Sequence, residues 1–319
     1  MLEVELDIFS GMSNPTWLLS KRQEKSLFEL LSAEPGQISP VTILSKRFGL
    51  GYRGLVVRRI KTDEGVWDKA VSARRAPFPN EFRVGIKPVR RDSAADWLVK
   101  TANRQGAGLA DEVLEVVSRG LALAPATRGP GEPGATIDRK RVDVARVPAD
   151  VPYRPGAKTH DTWWACGSNY FSANASFFND PAHVTRNNCY CFASNHLADV
   201  RYALPGRRGG QPPTSITCAG VISGLRADGW KDGCEPNALT IVMVIWPNFD
   251  YHFYRLVTGG PYWWWGHKPG GTPAKYTDDC GHAIYQYQGK GYAPNNICRG
   301  NYTDFCGYFY QNNWTAFVA

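Results

Sequence analysis

No run of residues in this chain approaches the roughly 20 apolar positions that a membrane-spanning helix requires. No membrane span is therefore expected. The start, "MLEVELDIFSG", carries acids where a secretory leader would be basic and then apolar. It predicts no Sec signal in the chain as it stands, which then works where it is made, leaves by another route, or has lost a leader. Cysteine and histidine are missing from the whole first half. All eight cysteines and all six histidines lie between His160 and Cys306, so thiol, imidazole or metal chemistry belongs to the second half. There is no internal repeat. No cysteine pair has the two-residue gap of a zinc knuckle, "CYC" being too tight, and neither metal nor other cofactor is expected.

The formal charge of +8 is modest for 319 residues. Its densest patch, residues 53 to 104, contains "VVRRI", "SARRAP" and "KPVRR". No nucleic-acid motif accompanies it, so these read as solvated arginines and no specific nucleic-acid partner is expected.

What is present reads as an α+β protein of two domains. "LEVELDIF" alternates apolar and acidic residues like a half-buried strand. "SGMSNPTW" is a turn-rich loop, with Ser10, Asn14 and Trp17 as structural turn residues or contacts. Ser20 and Gln23 form a capping box for a helix ending at Pro-Gly. Two further strands and two helices complete an accessory domain over residues 1–122. Residues 123–157, rich in Pro, Gly and charge, read as a linker. Residues 158–319 form a Cys/His/Trp-rich catalytic or binding domain. There "SITCAGVISGLRADGW" predicts a helix, "ALTIVMVIW" a buried strand, and "YHFYRLV" with "YWWWGHK" a hairpin about Gly259-Gly260.

"TRNNCYCFASNH" focuses the chemistry. Asn187 and Asn188 are good N-cap residues, placing Cys189 in a first helical turn. There the backbone dipoles would lower a thiol pKa, and free N–H groups could hold an oxyanion. His252, at the head of the next strand, is the candidate base. A hairpin closed symmetrically about Gly259-Gly260 sets His252 opposite His267, Tyr254 opposite Trp265, and Arg255 opposite Trp264. His267 would then orient the imidazole of His252.

This order of cysteine, strand histidine and second polar residue resembles the papain-like superfamily, especially NlpC-type peptidases and CHAP amidases. The resemblance covers roughly residues 185 to 270. It implies Cys189 as nucleophile, His252 as base and His267 as orienter. Tyr190 and Cys191 stand where that family carries small residues. At the level of words, "NNCYCFA", "PGRR", "HFYR", "HKPGGT" and "YTDFCGYF" are similar to a poorly characterised bacterial and invertebrate group that carries no established activity.

Two functions follow. The first is a thiol hydrolase or acyl transferase acting on amide bonds of a peptide or glycopeptide, with Trp263, Trp265, Tyr254 and Asn188 contacting the substrate. The second is a non-catalytic, disulfide-stapled module that binds a peptide or polysaccharide. For Cys189 the alternatives are a disulfide, an inert thiol, or a zinc ligand beside His252 and His267.

Overall fold

The computed structural model describes residues 1–42, 49–60, 78–86, 93–104, 107–122, 169–172, 175–258, 262–287 and 290–319. The expected linker, His160, Trp163, Trp164 and the Gly259-Gly260 turn lie outside the described residues. The protein mixes helices and sheets, as expected of an α+β chain. It divides into two compact units. Among the described residues, the first holds 1–8, 13–42, 51–60, 78–86, 93–104 and 107–122. The second holds 9–12, 49–50 and 169 onward, so Phe9–Met12 leave the sequence neighbourhood of the first unit to belong to the second.

The first unit has a four-stranded antiparallel sheet in the order β2-β1-β3-β4. These strands are β1 (Leu2–Leu6), β2 (Thr16–Leu18), β3 (Leu55–Arg59) and β4 (Glu81–Val84). Its helices are α1 (Lys21–Ala33), α2 (Ala94–Arg104) and α3 (Asp111–Ala122). The Ser20–Gln23 capping box is formed. Asn14 closes its own loop, accepting from the Ile8 amide and donating to Glu5. Trp17 donates to Thr101 at 3.0 Å.

Two arginines of the basic patch turn inward rather than to solvent. Arg53 and Arg83 clamp buried Asp7, Arg53 on Oδ1 at 2.8 Å and Arg83 on Oδ2 at 2.6 Å. Burial alone would raise the Asp7 pKa, but the two guanidinium groups outweigh it and hold the carboxyl well below its usual range.

The second unit is built on a six-stranded antiparallel sheet, β10-β5-β6-β7-β8-β9. Its strands are β5 (Ala238–Trp246), β6 (Asp250–Leu256), β7 (Tyr262–His267), β8 (Tyr285–Tyr287), β9 (Lys290–Tyr292) and β10 (Asp304–Asn312). Short helices α4 (Ser176–Asn179), α5 (Cys189–Ala193) and α6 (Cys218–Ala227) precede it. All nine residues of β5 are buried, because both sheet faces are covered. One face packs Ile241, Met243 and Ile245 with the apolar residues of α5 and α6. The opposite face is covered by the segment returning after β7, which places Thr277 against His267 and Tyr302 against Trp246.

The hairpin register differs from expectation by two residues. Tyr254 faces His267, Arg255 faces Gly266 and Leu256 faces Trp265. A shift of two keeps every side chain on its face. Arg255 therefore does not meet Trp264; its guanidinium lies 4.5 Å over the ring of Phe192. A Cβ at Gly266 would come 2.9 Å from Tyr276 Cε1 and 3.1 Å from Phe192 Cζ, so both rings need a glycine there.

Candidate functional site

Strand alternation decides the geometry of the expected triad. Along β6, Tyr251 and Phe253 join Cys189 and Tyr190 in one core cluster. The rings of Tyr190 and Phe253 are 5.2 Å apart. His252 and Tyr254 point the other way, with their ring centroids 5.0 Å apart. A sheet thus lies between Cys189 and His252, which corrects the expectation that they meet.

Cys189 is also poorly activated. It is fully buried, and its Sγ contacts the Tyr251 carbonyl at 3.9 Å. Burial, reinforced by the Asp250 charge, pushes the thiol well above its ordinary pKa. Burial raises Cys191 to about 11. Both remain free thiols. Nor do first-turn amides await an oxyanion: Asn188 caps α5, its Oδ1 accepting from Tyr190 N and Cys191 N. Its Nδ2 donates to the carbonyls of Gly11 and Ala203, so Asn188 is a structural cap rather than a substrate contact.

The histidine pair does form. His252 Nε2 and His267 Nδ1 are 2.8 Å apart, and His267 Nε2 lies 2.9 Å from the Thr277 carbonyl. A carbonyl only accepts, so His267 carries its proton on Nε2. Burial and the Lys275 charge drive the His267 pKa well below its ordinary value, leaving Nδ1 as an acceptor. His252 Nε2–H must then donate. This is the base–orienter relation expected of the pair, but both rings are fully buried.

Two of the remaining substrate candidates are core residues too. Tyr254 and Trp265 are fully buried, Tyr254 stacking on His267 at 4.7 Å. Trp263 is half-buried and meets exposed Phe171 with centroids 5.7 Å apart.

Polar staples that the sequence did not reveal surround this core. Fully buried Lys268, of "HKPGGT", donates to the carbonyls of Val184, Asn187 and Gly270 at 2.6–2.8 Å. Asp250 accepts from the amides of Ser10, Gly11 and Met12 and from the Tyr302 hydroxyl of "YTDF". Burial raises Asp250 to about 6 against the lowering by those donors. Asp228 accepts from Tyr190, Gly206 and Gly209, tying "NNCYCFA" to "PGRR". The motif words therefore mark structural joints. The only hint in the sequence was their spacing across distant segments, which does not say who meets whom.

Cys218 bonds to Cys306, Cys280 to Cys298, and Cys234 is also in a disulfide. Asp278, Cys280, His282 and Cys298 offer ligand atoms within 4.8 Å of one another. The two sulfurs are bonded to each other, however, and Asp278 accepts from the amides of Cys280, His282 and Cys298. This is a stapled turn. Among the described residues, no helix is long and apolar enough to cross a membrane.

Fold and site together define a disulfide-bonded α+β protein whose cysteine–histidine constellation is parted by its own sheet. Insoluble matrix shell protein 1 of Ruditapes philippinarum is 39% identical over 126 residues, 39% of this chain and 78% of that protein. The chain belongs to the family of that shell protein. No family model and no solved structure matches it.

Proposed function

We propose that this chain is a non-catalytic binding and scaffold module, stabilised by disulfides and buried polar staples for service in an insoluble matrix. The observation that carries this is the placement of Cys189 and His252 on opposite faces of one sheet, both buried. A hydrolase of the papain-like kind needs a solvent-accessible thiolate in contact with its base. The relative's name, insoluble matrix shell protein, supports a structural role. Five disulfide-bonded cysteines of the sheet-bearing unit, Cys218, Cys234, Cys280, Cys298 and Cys306, suit an oxidising setting.

The test is iodoacetamide labelling of the native protein followed by peptide mapping. Cys189 and Cys191 are expected to stay unmodified until the chain is unfolded. Rapid native labelling of Cys189 would restore the thiol-hydrolase reading and end this one.

A further inference from the structure

One cleft of the sheet-bearing unit lies apart from the histidine pair. It encloses about 680 Å³ and is lined by Arg208, Lys231, Glu235, Gln311, Asn312 and Thr315, among others. Gln311 is its most informative member. The side chain is only 4% exposed, and its Nε2 donates to the carbonyls of Asp228 and Thr315. Those two acceptors fix the amide orientation, so the unpaired atom is Oε1, which has no donor among the described residues. A buried acceptor left open has room for a donor, an ordered water or the hydroxyl of a ligand. Gly229 helps hold this arrangement, since a Cβ there would come 2.8 Å from Gln311 Nε2.

Two exposed aromatics adjoin the lining residues. Trp314, between lining residues Asn312 and Thr315, is 64% exposed and meets Tyr170 edge-on at 5.6 Å. Phe317 is 45% exposed beneath the Arg208 guanidinium. A large exposed indole offers an apolar face, while Arg208 and Lys231 donate and Glu235 and Gln311 accept. A pyranose ring presents the matching surfaces, one face of C–H groups and a rim of hydroxyls that both donate and accept. An apolar peptide side chain would leave Gln311 Oε1 unpaired.

We infer that this cleft binds a neutral sugar unit of a polysaccharide, with one hydroxyl donating to Gln311 Oε1 and the ring against Trp314. The inference deepens the binding-module function, and rests on it only in that the sugar is held intact.

The experiment is calorimetric titration of the full chain with cellotetraose and chitotetraose. At least one should bind, and Trp314→Ala should weaken it about tenfold with an unchanged melting temperature. Gln311→Leu, with its fold checked by circular dichroism, should weaken it similarly. No binding of either sugar at millimolar concentration, or equal binding by Trp314→Ala, overturns the assignment and leaves the thiol-labelling result standing. A sugar that binds and is cleaved keeps the cleft and refutes the non-catalytic reading.

Discussion

His252 Nε2–H donates a hydrogen bond to His267 Nδ1 across 2.8 Å, and His267 Nε2–H donates to the Thr277 carbonyl. On the His267 side the chain of hydrogen bonds ends on a backbone oxygen. It orders two rings rather than moving a proton.

Protonation of His267 should therefore unfold the protein. Its folded pKa is depressed, first by burial and then by Lys275. The neutral form's contribution is complete above the unfolded value of about 6.5 and is lost as pH falls below it. Urea midpoints should drop from pH 7 to pH 5, with His267 contributing up to about 1.4 kcal/mol per pH unit. His267→Gln should flatten that part of the profile. Asp250, raised to about 6, works in the opposite direction over part of this window, so the parent is compared with the variant: identical pH profiles for the two would contradict the neutral, buried assignment of His267.

Lys268→Met removes the donor to three carbonyls while keeping much of the stem. Each orphaned buried acceptor costs about 1–3 kcal/mol. A loss of at least about 3 kcal/mol is expected by chemical denaturation. Hydrogen exchange should rise first around Val184 and Asn187, the residues the lysine ties down.

Asp7 acts through the first unit alone. Because Arg53 and Arg83 hold its pKa below the usual range, its stabilisation is present above about pH 4 and fades as pH falls further. Asp7→Asn leaves two buried guanidinium groups without their counter-charge. It should cost about 3–5 kcal/mol at neutral pH and remove that acid-dependent step.

The Cys218–Cys306 bridge closes a separation of 88 residues. Replacing both by serine should lower stability by about 2–5 kcal/mol. The separate Cys189→Ala variant should still fold and should bind ligands as the parent does. Any loss of binding by Cys189→Ala without loss of fold would point to a functional thiol after all.

Local pattern carried much of the fold. The alternation of Leu2, Val4 and Leu6, the Ser20–Gln23 box, and the unbroken "ALTIVMVIW" became β1, the cap of α1, and β5. The closing "YTDFCGYFYQNNW" was harder. Its glycine and asparagines suggest turns, yet β10 runs from Asp304 to Asn312, with a bulge between Phe305 and Gly307. Pairing along the length of β5 overrides that local preference. β8 and β9, three residues each, were too short to show a period.

For the site, the sequence by itself determined the ingredients: an asparagine cap, two histidines on the two strands of one hairpin, and cysteines confined to one half. Even a register error of two left the histidine pair on one face, because side chains alternate with period two. Only the tertiary structure decided which face of β6 the α5 helix covers. It covers the Tyr251 and Phe253 side, whose rings pack with its apolar residues, and that burial consigns Cys189 to one side of the sheet and His252 to the other.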